Sequence, residues 1–268
     1  MSVGTRTLDA GGVPVRLFYP TRVASRPETF GPYAVDVAID APLDGAGHPQ
    51  VVVSHGGTSS PWVLRDLAIS LVRAGCVVAL PTHPGDNRDD RSLFGTVANL
   101  EQRPRHLRQV IDALGAARVA VIGHSMGGYT ALAVAGGRPV ALPSETADGR
   151  AHPVSVVRDP RVRALVLLAP ATAWFMGPGA LDGVDVPVQL WTGELDAMAP
   201  EGFTQIVLRG VAGVDHRRIP NAGHFAFVSP FPPAMTSPSF PPSQDPPGFD
   251  RAAFQPVLHA AIADFLAA

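Results

Sequence analysis

The chain is 268 residues long, with 21 basic side chains that are all Arg, 23 Asp plus Glu, a single Cys and a formal charge of -2. Without Lys there is no Schiff-base or pyridoxal-phosphate chemistry and no phosphate-loop lysine, and one Cys permits neither an intrachain disulfide nor a thiolate zinc cage. The near-neutral balance without a basic run argues against a nucleic-acid surface, and 46% hydrophobic against 16% charged residues suffices for one sizeable core, read as a single domain over residues 1–268.

Short β-branched runs bounded by Gly and Pro alternate with segments of helical period, the pattern of a parallel sheet with crossover helices. Strands are predicted at Val13–Tyr19, Tyr33–Ile39 and Val51–Ser54. Trp62–Ala74, apolar at Trp62, Leu64, Leu67, Leu71 and Val72, predicts a helix closed by Gly75. A strand at Val77–Leu80 and a helix at Arg105–Leu114, closed by Gly115, follow. Next come a strand at Val119–Ile122, a helix at Met126–Ala135, and strands at Ala164–Leu168, Val188–Thr192 and His216–Ile219. A helix over Ala252–Leu266 ends the chain. The expected class is α/β, with a mostly parallel central sheet of about eight strands and helices on both faces.

Two stretches break this rhythm. Residues 137–161 are polar and Pro-containing, and are expected to form a cap or excursion over the strand ends. Residues 229–248 hold 8 Pro in 20 positions, which excludes a regular helix or central strand. The phenylalanines at 231, 240 and 249 point to an ordered wrap over the core rather than a linker. The N-terminal MSVGTRTLDAGG has no charged segment leading into an apolar run, and no window approaches about 18 uncharged apolar residues. A cytoplasmic protein with no membrane partner is expected, which suits the lone Cys76, read as buried and inert.

The chemistry concentrates at Gly123-His-Ser125-Met-Gly127, where an apolar strand runs into the first Gly and a helix follows the Ser. A Ser forced into a strained turn exposes its hydroxyl, and small flanking residues let strand and helix approach closely. The helix N-terminus then aims free N–H groups at a developing oxyanion. A nucleophilic Ser needs a base and an orienting acid, which in this arrangement follow in the order Ser, acid, His. The loop Asn221-Ala-Gly-His224 offers His224, preferred over His216 because the latter lies within a strand. The loop Gly193-Glu-Leu-Asp196 offers Asp196, with Glu194 as the alternative and Asp185, ahead of the strand, a poorer one.

The Ser54-His-Gly-Gly57 turn offers Gly57 as an oxyanion donor, paired with the Met126 N–H. His55 and His124 read as supporting residues, and His83 with Asp86 as a rigid loop, since no ligand spacing for a metal accompanies them. Trp62, Trp174, Phe175 and Phe225 are expected near an acyl pocket.

Taken together, the motifs at 54–57, 123–128, 193–196 and 221–224 resemble those of the α/β-hydrolase superfamily. The His83-Pro-Gly-Asp-Asn87 loop and the ending Asp245-Pro-Pro-Gly-Phe-Asp250 resemble bacterial proteins described as dienelactone hydrolases, related to platelet-activating-factor acetylhydrolase. The resemblance implies a triad at Ser125, Asp196 and His224 and oxyanion donors at Gly57 and Met126. One departure is plain: true dienelactone hydrolases use a Cys nucleophile, and Ser125 stands there in this chain. The expected function is cofactor-free and metal-free hydrolysis of a small-molecule ester or lactone. Acyl transfer or amide cleavage at the same site is the alternative, and a non-catalytic binding protein the more distant one.

Overall fold

The computed structural model describes residues 1–268. Four strands open the chain: β1 (Ser2–Asp9), β2 (Pro14–Thr21), β3 (Arg26–Phe30) and β4 (Tyr33–Ile39). Alternation then sets in with β5 (Gln50–Ser54), α1 (Arg65–Arg73), β6 (Val77–Pro81), α2 (Val97–Leu114), β7 (Val119–His124) and α3 (Met126–Val134). A two-stranded excursion, β8 (Val140–Ala141) and β9 (His152–Pro153), precedes β10 (Val162–Leu168) and β11 (Val188–Gly193). The last elements are α4 (Glu201–Gly210), β12 (Asp215–Ile219) and α5 (Arg251–Ala267).

Ten strands form one sheet in the order β12-β11-β10-β7-β5-β6-β2-β1-β4-β3. From β12 to β6 every pairing is parallel. At the other edge β2 runs antiparallel to β6 and to β1, β1 pairs with β4 in parallel, and β3 closes the sheet antiparallel to β4.

The central strands are apolar at nearly every position because both of their faces are covered. In β7, Val119 and Val121 join one core while Ala120 and Ile122 join the other. In β10, Leu165 and Leu167 face the first core, and Val166 and Leu168 the second. This two-residue alternation is what a strand between helical layers requires. Leu107, Ile111 and Leu132 of α2 and α3 fill the first core; Leu67, Leu71, Leu258 and Ile262 of α1 and α5 fill the second.

The sheet has ten strands rather than about eight. The two without a sequence signal are β1 and β3, read SVGTRTLD and RPETF, and both belong to the mixed half of the sheet. Strand β3 is the edge itself, where charge and Pro are tolerated because one side needs no partner. Helix α2 starts at Val97, eight residues before the predicted Arg105, and runs through Pro104. Thr96 caps it by accepting the Asn99 N–H at 3.2 Å. Pro104 cannot donate to the Leu100 carbonyl one turn back, and the Tyr129 hydroxyl donates to that oxygen instead at 2.9 Å. No helix is long and apolar enough to cross a membrane.

Candidate active site

Strand β7 delivers the chain into a sharp turn at Ser125, whose φ of 53° and ψ of -118° lie outside the helical and extended regions. The three surrounding glycines are there because nothing larger fits. A Cβ on Gly123 would stand 2.1 Å from the Gly127 carbonyl oxygen, and one on Gly127 would stand 2.0 Å from the Ser54 carbonyl oxygen. At Gly128 it would fall 2.4 Å from Pro170 Cβ. Helix α3 is thus seated directly on the end of β5, and its first N–H groups, Met126 foremost, point beyond the strand ends.

His224 sits on the loop after β12 and Asp196 on the loop after β11, both at carboxyl ends of parallel strands. His224 Nδ1–H donates to Asp196 Oδ2 at 2.8 Å, and both side chains are nearly closed to solvent. The other Asp196 oxygen accepts the N–H groups of Met198 and Ala199, each at 2.8 Å. With Nδ1 so engaged, Nε2 is the nitrogen free to accept a proton. Ser125 and His224 line one cavity of about 560 Å³.

Gly56 and Gly57 line the same cavity. A Cβ on Gly57 would lie 3.6 Å from Met126 Cβ, so the two expected oxyanion donors are neighbours across the turn. The Gly57 N–H finds no acceptor within the chain, whereas the next one, Thr58 N–H, donates to Asp86 Oδ1 at 2.6 Å.

The competing residues are placed elsewhere. Glu194 accepts the Asn221 N–H at 3.1 Å and pairs with the exposed Arg218 at 3.3 Å, while His224 Nδ1 is engaged by Asp196. Asp185 pairs with Arg158 on the surface. His216 meets the Thr192 hydroxyl at 2.9 Å on the outer strands. His55 donates to the Gly56 carbonyl at 2.7 Å and accepts the His83 N–H; burial and the adjacent Arg103 lower its pKa to about 3. His124 donates from Nε2 to the His224 carbonyl at 3.2 Å, and burial and the neighbouring His224 lower it likewise to about 3. Asp86 is turned away from His83, toward Thr58, Asn99 and Arg103, and no group of three His, Cys, Asp or Glu is arranged to hold a metal ion. Burial pushes the Cys76 thiol up.

Of the residues expected on the substrate pocket, Phe225 lines the cavity and the two tryptophans do not. Trp62 stacks on Phe30 with ring centres 4.8 Å apart and stands behind Tyr33, which takes the cavity wall. Trp174 packs edge-on against Tyr129 and donates its indole N–H to Glu145 at 2.8 Å. Phe175 is buried against the same Tyr129. The apolar wall is instead Val63, Phe225 and Val228, together with Phe231, Met235 and Phe240 of the Pro-rich wrap. No residue of 137–161 reaches the cavity; that segment is an excursion carrying β8 and β9. Arg88 and Arg91 also line the cavity, and no local motif marks them.

A family model described as the alpha/beta hydrolase fold matches residues 49–197, which include Ser125 and Asp196. Among curated proteins, the 2-hydroxy-6-oxononadienedioate/2-hydroxy-6-oxononatrienedioate hydrolase 1 of Dechloromonas aromatica (strain RCB) is 35% identical over 98 residues, and its Pseudomonas putida namesake 35% over 92. The D. aromatica match covers 35% of this chain and 34% of that protein, so only about a third of either is compared. Two solved structures align over nearly the whole chain. A ferulic acid esterase from Streptomyces cinnamoneus gives a TM-score of 0.70 at 20% identity, covering 99% of this chain and 88% of its own. A CIB-like hydrolase from Thermoplasma acidophilum gives 0.58 at 15% identity, covering 98% and 99%. At such identities the likeness speaks for the fold.

Proposed function

The chain belongs to the alpha/beta hydrolase fold family, and from that premise we propose that it is a serine hydrolase cleaving a carboxylic ester or lactone through an acyl-enzyme on Ser125. The observation that carries this reading is the 2.8 Å bond from His224 to Asp196, whose imidazole shares one cavity with a Ser held at a strained strand-to-helix turn. In the proposed reaction Ser125 attacks the carbonyl while His224 Nε2 takes its proton and returns it to the leaving alcohol. Asp196 holds the ring tautomer and offsets the imidazolium charge. The N–H groups of Gly57 and Met126 receive the oxyanion. Water then repeats the sequence against the acyl-enzyme, with His224 again as base.

The branch resembling dienelactone hydrolases and platelet-activating-factor acetylhydrolase is part of the same reading, with the Ser nucleophile setting this chain apart from the Cys enzymes. An apolar wall of Phe225, Phe231 and Phe240 suits an acyl or aryl group. The mouth favours a substrate that also bears an anionic group, because Arg88 and Arg91 line it and no Asp or Glu does. The curated relatives are named for dioates, which are dicarboxylates, and the S. cinnamoneus protein for an ester. A cytosolic setting, where a single thiol stays reduced, accords with this reading.

Exposure to a fluorophosphonate followed by intact-mass measurement tests the assignment. The expected result is one adduct on the wild type and none on Ser125→Ala, with kcat of the variant down by on the order of 10⁶. Labelling of both proteins, or of neither, overturns it. Paired neutral and carboxylate-bearing p-nitrophenyl esters then test the charge preference, with the anionic member expected to show the lower KM.

A further inference from the structure

Two fully buried charges lie behind the candidate site without touching its cavity. Arg103 of α2 and Asp86 of the loop after β6 are both 0% exposed and are joined at 2.8 Å. A buried ion pair is weak evidence for stability, because desolvating both ions offsets most of their attraction and an apolar pair of similar volume serves as well. What singles this pair out is where its remaining hydrogen bonds go.

Arg103 Nη2 donates to the His55 carbonyl oxygen and, at 3.3 Å, to the Ser54 hydroxyl. Asp86 Oδ1 accepts the Thr58 N–H at 2.6 Å, and Thr58 is held at a φ of 49°, a left-handed conformation costly for a β-branched residue. The loop is therefore gripped at positions 55 and 58, on either side of Gly56 and Gly57. Arg103 Nε donates to the Thr130 hydroxyl at 2.9 Å, and that hydroxyl donates to the Met126 carbonyl at 2.9 Å. The same guanidinium thus reaches the first turn of α3. Asn99 Nδ2 donates to the second Asp86 oxygen at 2.9 Å, so the pair itself has little freedom to turn.

We infer that Asp86 and Arg103 are positioning residues for the oxyanion hole, holding the Gly57 and Met126 N–H groups in register with each other. The inference rests on the serine-hydrolase reading above. The Thr58 N–H is drawn to Asp86, while the Gly57 N–H at the cavity wall has no acceptor within the chain. Tying both the loop and α3 to one planar cation gives the two donors a common reference. A hole set this way acts on the developing oxyanion and little on ground-state binding, so its loss falls on kcat rather than KM.

The test compares wild type with a charge-neutral double variant, Asp86→Ala/Arg103→Met, and with Thr130→Val, which removes the hydroxyl that bridges Arg103 Nε to the Met126 carbonyl. Each is measured for kcat and KM on p-nitrophenyl butyrate. Each is also measured for inhibition by a trifluoromethyl ketone, which forms a tetrahedral oxyanion adduct with Ser, and by the matching secondary alcohol, which cannot. The double variant is expected to lose about 10- to 10³-fold in kcat, with KM and alcohol affinity within about threefold and ketone affinity falling in step with kcat/KM. Thr130→Val is expected to lose about 3- to 10-fold in kcat and in ketone affinity, and it decides the matter if the double variant does not fold. Folded variants that keep wild-type kcat and ketone affinity overturn the inference. So do variants that lose KM and alcohol binding while keeping kcat. If the wild type itself turns over no ester and binds no ketone, the serine-hydrolase reading has failed and the inference falls with it.

Discussion

Asp196 Oδ2 stands 2.8 Å from His224 Nδ1 although 28 residues separate the two. The carboxylate is not free to swing away, because its other oxygen is held by two backbone N–H groups of its own loop. Three acceptor interactions on a nearly buried carboxylate give the ring one orientation and one tautomer.

Asp196→Asn is therefore expected to lower kcat by about 10⁴ with little change in fold, since an amide at that position stabilises the wrong tautomer. Glu194→Gln, whose partners are Asn221 N–H and the exposed Arg218, is expected to stay within about threefold of wild type. Steady-state kinetics on one p-nitrophenyl ester decide between them, and the reverse order would move the acid to Glu194.

Acid should unfold the protein through its buried imidazoles. His55 and His124 are lowered to about 3, His106 to about 4, and His83 well below its ordinary value; burial is the main cause, with the Arg103 charge beside His55, His83 and His106 and His224 beside His124. These rings are neutral in the folded state and ordinary in the unfolded state, so below about pH 6.5 the unfolded chain binds more protons. Stability should hold above that pH. It should fall as pH drops toward 4, at about 1.4 kcal/mol per pH unit for each such histidine. Urea midpoints at pH 8, 6 and 4.5 measure this. A flat profile across that range would count against neutral, buried rings.

Gly127→Ala and Gly202→Ala should move stability in opposite directions. The first places a Cβ 2.0 Å from the Ser54 oxygen and forces α3 off the end of β5. A loss of about 3 kcal/mol, or roughly 6–12 °C in Tm, is expected. At Gly202 in α4 nothing lies within 4 Å, so the new methyl adds helix propensity and stability rises by up to about 1 kcal/mol. Thermal melts of both proteins check the pair.

Arg251 anchors the Pro-rich wrap, donating to the carbonyl oxygens of Pro242 at 2.8 Å and Gln244 at 2.9 Å and to Asp245. Arg251→Met should loosen the wall that carries Phe240 while leaving Ser125, Asp196 and His224 in place. KM for long-chain p-nitrophenyl esters is expected to rise several-fold, with kcat on the acetate within about twofold. Limited proteolysis should show new cleavage between 232 and 245.

The strand-to-helix turn at Ser125 is legible because its cause is local. A strand, two glycines around a Ser and a helix start must meet within five residues, and the clashes at Gly123 and Gly127 arise inside that stretch or against the adjacent strand end. The parallel strands were legible for a similar reason, since burial on both faces demands an apolar residue at each position. Where a segment's environment is supplied from afar, the local pattern misleads. Pro104 reads as a helix breaker until Tyr129, from another helix, takes over the carbonyl it leaves bare. Trp62 and Trp174 read as pocket residues, but which face of a turn meets a cavity depends on what packs behind it: Phe30 for one, Glu145 for the other.

The α/β class and the Ser125 turn are readable in the sequence because two-sided burial and backbone sterics leave their mark residue by residue, and the loops that carry Glu194, Asp196 and His224 follow in the order Ser, acid, His. Tertiary structure alone decided that His224 meets Asp196 rather than Glu194, that the Pro-rich segment walls the cavity, and that Asp86 and Arg103 are wholly buried. Nothing beside Asp86 or Arg103 in the sequence marks them as buried, since the cost of burying an ion is met only by partners that the fold brings in from distant segments.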